Sequence, residues 1–480
     1  MTMLATRNMP DHRAGYRVKL VVSLCLAALF AGCAHYPVNA PLEHHDPTSG
    51  YRLETLPSED NSGSLLVVMS FSGGGTRAAA LAYGTLERLA RTEIVWEGRR
   101  KRLLDEVDII SSVSGGSYTA AYYALYRERL FEDFEAEFLK RNVQGEITRK
   151  LLTPTNLVRS WSPLFGRSDL MAEYMDDQLF HDATFADLQR QGRPFVLINA
   201  SDLSLGTRFE FSQDQFDLLC SDLSPYPLSR AVVASSAVPV ALTPLTLRNY
   251  AGSCDYQEPD WVQAALTDRA ASARRYYKAS ELRSYLDAKR RPYIHLLDGA
   301  LTDNTGLRAL LDRILSREDP LRPARALDTQ TLLKVVLIMV SAETRPDLSV
   351  DRIGSVPTPL QVVRNVKDTP INRYSFETIE LFKAYFDGWA QDPREYADDA
   401  PSTEFYLVEV TLEAIDDEQE RDDFMAIPTS LRLPADQVDA LRATTGRLLD
   451  ESPDFQRLMD DLSREDGERP LEPSPSSTEF

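Results

Sequence analysis

The chain has 480 residues, 43% of them hydrophobic, and carries 53 basic and 73 acidic residues for a formal net charge of −20. That length and apolar content suit one large or two ordinary globular domains and exclude a disordered chain. The acidic balance excludes nucleic acid as a partner, since that needs a basic footprint, and an anionic membrane would repel this body unless something else held it there.

The first element supplies such a cause. Arg13, Arg17 and Lys19 precede an apolar run over residues 20–30, which ends in Ala31, Gly32 and Cys33. A basic lead, a short apolar stretch and small residues predict an export signal over residues 1–32, and the run is too short to span a bilayer. The pair before Cys33 resembles a bacterial lipobox, in which the cysteine thiol carries lipid, although Phe30 stands where that motif prefers Leu. Ordinary signal cleavage with an incidental Cys33 is the plainer alternative. Several acyl chains on one residue would anchor the protein despite its acidity. Ala34, in place of an acidic residue, favours the outer membrane facing the periplasm, by resemblance to sorting in Gram-negative bacteria. Residues 33–60, with Pro37, Pro41, Pro47 and Pro57, read as a tether to a domain expected over residues 61–464.

Within that domain, apolar runs at residues 65–69, 107–113, 194–200, 293–297 and 332–340 have the continuity of strands buried on both faces. Helical stripes follow several of them, for example Ala79, Ala82, Leu86 and Leu89, then Tyr118, Ala121, Tyr122 and Leu125. Strand–helix alternation of this kind predicts an α/β fold with a largely parallel sheet covered by helices.

The first motif is Ser72-Gly73-Gly74-Gly75-Thr76-Arg77-Ala78, between a strand and a helix. Consecutive glycines let backbone N–H groups converge on an anion, as an acyl-transfer enzyme needs for its oxyanion. A tight turn without a ligand is the bland alternative. Gly73-x-Gly75-x-x-Ala78 also fits a dinucleotide fingerprint, with Glu97 at a tolerable distance for a ribose contact, but an exported protein meets no nicotinamide pool. A phosphate-binding P-loop fails because its Lys is missing.

The second is Ser111-Ser112-Val113-Ser114-Gly115-Gly116-Ser117, again between strand and helix. A sharp strand-to-helix turn exposes a serine Oγ and demands small neighbours; here Ser112 and Gly116 flank Ser114, although an ordinary helix cap uses the same residues. Residues 151–165, with Trp161, Leu164 and Phe165, are one candidate entrance for acyl chains, and the helix bearing Ile379, Phe382, Tyr385 and Trp389 is another; core packing is the alternative for both.

With Cys25 lost in the signal and Cys33 lipidated, Cys220 and Cys254 remain for a possible disulfide in an oxidising compartment. The third motif is Leu297-Asp298-Gly299-Ala300, ending a strand. Its carboxylate stands where ligands bind in open parallel sheets and is able to take the Ser114 proton directly; a loop-capping Asp is the alternative. A His base has little support, because His181 lacks a motif and His295 points away from Asp298 on an ideal strand. Towards the end come a strand at residues 405–412, helices opening at Pro434 and at Ser452-Pro453, and a tail over residues 465–480 rich in Pro, Ser and Glu.

In order and spacing, the three motifs resemble those of the patatin-like phospholipases, and so do Asn199-Ala200-Ser201-Asp202 and Ala234-Ser235-Ser236-Ala237-Val238-Pro239. The likeness runs from about residue 62 to 310. It implies a three-layer α/β domain and metal-free, cofactor-free hydrolysis of phospholipid or lysophospholipid acyl esters by a Ser114–Asp298 dyad. The oxyanion donors are then Gly73, Gly74, Gly75 and Gly115, with Arg77 as the supporting basic residue. Ser72, Ala78 and Ser112 depart from the family pattern but stay small. A catalytically inactive lipid-binding or scaffold lipoprotein is the alternative function.

Overall fold

The computed structural model describes residues 34–57, 61–270, 272–315, 333–345, 348–352, 354–391 and 403–468. The signal, Cys33 and the tail beyond residue 468 lie outside the described residues.

Residues 65–69 are apolar without a break, and β1 (Leu65–Phe71) is buried at all seven positions. The same holds for β2 (Val107–Val113) and β3 (Phe195–Asp202). With β4 (Arg208–Glu210), β5 (Leu245–Arg248), β6 (Tyr293–Asp298), β7 (Lys334–Ser341) and β8 (Glu404–Thr411) they form one eight-stranded sheet. Its order is β8-β7-β1-β2-β3-β6-β5, with β4 on β3. The four pairings from β8 to β3 are parallel, as the continuous apolar runs predict, and those of β4, β5 and β6 are antiparallel.

Strands buried on both faces need helical cover, which makes the domain three-layered. The helices used below are α1 (Thr76–Ala90), α2 (Gly115–Tyr126), α3 (Arg167–Met175), α4 (Leu228–Ser235), α5 (Pro359–Gln391), α6 (Ala435–Glu451) and α7 (Pro453–Glu468). The stripes of α1 and α2 are buried as predicted, and α6 starts after Pro434 with Val438, Leu441 and Leu448 in the core. It crosses α1 closely at Gly84, where a Cβ would lie 2.7 Å from the Arg442 carbonyl.

Residues 34–57, read above as a tether, lie against the domain. Ala40–Pro41 pairs with Ser221–Asp222, the Tyr51 hydroxyl accepts from Val196 N–H at 2.8 Å, and buried Arg52 pairs with Asp214 and Asp217. Cys220 and Cys254 form a disulfide with Cα atoms 5.4 Å apart.

Candidate active site

Two registers bring the predicted nucleophile and base together. Val113 pairs with Asn199, and the next residue of β3, Ala200, pairs with Asp298. Adjacent strands lie about 4.8 Å apart, so the turn leaving β2 at Ser114 and the end of β6 at Asp298 meet across β3. β6 runs antiparallel to β3, so Asp298 does not stand at the carboxyl edge of a parallel strand as the sequence suggested. It comes back toward Ser114 from the opposite direction.

Ser114 has φ 48° and ψ −117°, the left-handed side of backbone space that a β-carbon disfavours. Its Oγ donates to Asp298 Oδ2 at 3.2 Å. The turn is held by Ser235 at the end of α4, whose Oγ accepts the Ser114 N–H at 2.8 Å and donates to the Asn199 carbonyl at 2.6 Å. Ser117 Oγ lies 3.1 Å from the same hydroxyl, and Asn199 Nδ2 donates to Ser111 Oγ and to the Ser112 carbonyl. Ser235 and Asn199 fall in the two sequence blocks noted above, but no motif rule assigned them this bracing role.

Asp298 is fixed at its second oxygen and its backbone. Oδ1 accepts from Ala300 N–H at 2.9 Å, the Asp298 N–H donates to the Ala237 carbonyl, and Ser201 Oγ donates to the Asp298 carbonyl. Burial pushes the phenol of neighbouring Tyr118 well up, the Ser236 hydroxyl opposes this in part, and the Asp298 charge adds to it, so Tyr118 stays neutral beside the pair.

The glycine turn sits directly against the serine: a Cβ on Gly73 would lie 3.3 Å from Ser114 Cβ. Gly73 itself is not an available donor, since its N–H is engaged by the Asn304 carbonyl at 2.9 Å. Gly74 and Gly75, both at positive φ, have N–H groups without a hydrogen-bond partner among the described residues, as does Gly115 at the start of α2. Of the four glycines read from sequence as oxyanion donors, Gly74, Gly75 and Gly115 thus have an amide to offer.

Arg77 supports this turn from behind. It is almost wholly buried, donates to the carbonyls of Ala342 and Ile427 and to Thr429 Oγ1, and burial pushes its guanidinium down to about 10. The loop it grips continues to Ser430, whose carbonyl accepts the Thr76 N–H at 2.8 Å. A segment more than 100 residues beyond Asp298 thus closes over the glycine turn, which the sequence motifs did not foretell.

The competing readings find no geometry. Glu97 accepts from Ser64 Oγ, next to the start of β1, whereas Gly73 follows its end; about 20 Å of strand separates them, out of ribose range. His295 is exposed and faces Thr246, with Nδ1 3.0 Å from Oγ1, and His181 is exposed in the loop after α3. Of the entrance candidates, Phe165 and Phe382 are core residues, Trp161 and Leu164 are exposed, and Ile379 and Tyr385 are half-buried; the Trp389 side chain lies outside the described residues. Among the described residues no cluster of His, Cys, Asp and Glu is arranged to hold a metal ion.

The fold and site define a three-layer α/β protein with a buried serine–aspartate pair on a strand–helix turn, beside a glycine-rich turn. The chain belongs to the patatin-like phospholipase family, whose model matches residues 69–311, just over half of its length. No curated protein matches it. Among solved structures it is similar to human GIVD cytosolic phospholipase A2, at 12% identity and a TM-score of 0.41 over 84% of this chain and 63% of that one. The same human protein in complex with methyl gamma-linolenyl fluorophosphonate and terbium chloride gives 15% and 0.37 over 85% and 60%. The chain thus spans somewhat less than two thirds of that protein's length.

Proposed function

We propose that this protein is a lipid acyl hydrolase of phospholipase A or lysophospholipase type, acting through a Ser114–Asp298 dyad. The observation that carries the reading is the 3.2 Å hydrogen bond from Ser114 Oγ to Asp298 Oδ2, made at a strained turn beside free glycine amides. In this mechanism Asp298 takes the Ser114 proton as Oγ attacks the ester carbonyl carbon. The N–H groups of Gly74, Gly75 and Gly115 hold the oxyanion that forms. Collapse breaks the ester C–O bond, and Asp298 returns its proton to the leaving alcohol, leaving an acyl-serine. Water, deprotonated by Asp298, then releases the fatty acid and restores Ser114. Membership of a phospholipase family supports a lipid ester as substrate.

The signal and Cys33 support export and attachment to a membrane by an N-terminal lipid, with the outer membrane favoured by Ala34. Wild-type full-length protein is expected to hydrolyse p-nitrophenyl butyrate and to be labelled at Ser114 by a fluorophosphonate probe. Ser114→Ala should lose both. Unchanged turnover in that variant would refute the nucleophile, and an unlabelled, inactive wild type would favour a non-catalytic lipid-binding protein.

A further inference from the structure

The chain carries a net charge of −20, yet between Glu146 and Asp169 it has no acidic residue and four basic ones, Arg149, Lys150, Arg159 and Arg167. The same stretch exposes large apolar side chains: Leu152 at 64%, Leu157 at 43%, Trp161 at 63% and Leu164 at 50%. Val240, 61% exposed at the tip of a neighbouring loop, joins them through a 2.7 Å hydrogen bond from Arg167 Nη2 to its carbonyl. Lys150 and Arg159 are paired with Asp177 and Glu173, whereas Arg149 and Arg167 make no ion pair among the described residues. Apolar residues this open are costly in water, and the two remaining cations among them are what an anionic lipid surface attracts.

Residues 34–36 pack into this patch. Ala34 is buried with Phe165 and Leu170, its carbonyl accepts the Ser162 hydroxyl at 2.5 Å, and Tyr36 N–H donates to the Leu164 carbonyl at 2.8 Å. Ala34 is the residue that follows Cys33 in the sequence. That loop also reaches the candidate active site: residues 237–243 run from Ala237, which accepts the Asp298 N–H, to Thr243, which packs on Gly166 and Ser168.

We propose that the face built by residues 149–167 and Val240 docks on an anionic phospholipid bilayer. Docking seats Trp161 and Leu164 among the lipids and holds the Asp298 end of the sheet close to the surface. The proposal rests on the lipid-hydrolase reading for its purpose, but its quenching test does not.

The test uses full-length protein reconstituted on vesicles of phosphatidylglycerol and phosphatidylcholine in which the phosphatidylcholine chains are brominated, a short-range quencher of tryptophan. Wild-type emission should be quenched, and the quenched component should vanish in Trp161→Phe. Equal quenching in wild type and Trp161→Phe overturns the docking whatever the enzyme does. Quenching undiminished on vesicles of brominated phosphatidylcholine alone overturns the preference for anionic lipid. The double variant Trp161→Ser/Leu164→Ser should lower vesicle phospholipid turnover about tenfold while leaving p-nitrophenyl butyrate turnover unchanged. Equal loss on both substrates would mean the variant harms the site and would overturn the docking role. Failure of Ser114→Ala to abolish turnover would count against the nucleophile alone and leave the quenching result standing.

Discussion

Ser114 Oγ lies 3.2 Å from Oδ2 of Asp298, although 184 residues separate the two in the chain. The other carboxylate oxygen of Asp298 is held by Ala300 N–H at 2.9 Å, so one oxygen is fixed and the other faces the hydroxyl. Asp298→Asn keeps the shape and the Ala300 bond but removes the proposed base. Turnover of p-nitrophenyl butyrate should fall about 10²–10⁴-fold, with the thermal midpoint nearly unchanged. Wild-type rates in Asp298→Asn would end the dyad assignment.

Ser235 fixes the backbone of Ser114, the proposed nucleophile. Its hydroxyl accepts from Ser114 N–H and donates to the Asn199 carbonyl, so Ser235→Ala strands one buried donor and one buried acceptor. That should cost about 1–3 kcal/mol of stability. It should also relax the turn at φ 48°, lowering kcat roughly tenfold with little change in KM, because orientation and not binding is lost. A variant that unfolds more easily but keeps full kcat at low temperature would reduce Ser235 to a packing residue.

Much of this was legible because local chemistry is written locally. An apolar run that ends in small residues before a helical stripe located both turns; β1 opens on an unbroken apolar run, and β2 and β3 follow from apolar runs that few polar residues interrupt. β6 is one of the antiparallel strands, and the pattern is in the sequence: Tyr293 and His295 are exposed while Ile294 and Leu296 are buried, the alternation of an antiparallel strand with one open face. What could not be read is long-range. That Asn304 takes the Gly73 amide, and that Ser430 and Thr429 brace the glycine turn through Thr76 and Arg77, depends on contacts across hundreds of residues. No spacing rule encodes such contacts.

At Gly115 even one methyl group has no room. A Cβ there would lie 2.0 Å from the Gly75 carbonyl oxygen and 2.7 Å from the Gly75 nitrogen, both backbone atoms of the facing turn. Gly115→Ala should therefore push the two turns apart, cost about 3 kcal/mol and remove measurable turnover. Gly98→Ala is the control for added bulk, since nothing lies within 4 Å of its new Cβ, although its φ of +71° carries a backbone strain that Gly115 does not. It should cost about 1 kcal/mol and leave turnover intact. If the two variants behave alike, the turns do not interlock as described.

Asp176, at the end of α3, offers a pH-dependent test of packing. Burial is the main cause that pushes its carboxyl up to about 6; the Ser229 hydroxyl opposes this, and the Asp182 carboxyl, by hydrogen bond and charge, reinforces it. In the unfolded chain the group titrates at its ordinary value of about 3.8. Between those two values the folded chain keeps a proton that the unfolded chain has released, so stability from this group is complete below about pH 4 and is lost as pH rises through 6. Above that, folding must accommodate an unfavourable charge. Asp176→Asn removes the charge, so it should stabilise the fold at pH 8 by about 1 kcal/mol after allowance for solvent screening, and by almost nothing at pH 4. Urea midpoints of the variant and the wild type at the two pH values measure the difference directly. A larger gain at pH 4 than at pH 8 would reverse the sign and show that Asp176 is charged and well paired in the folded protein.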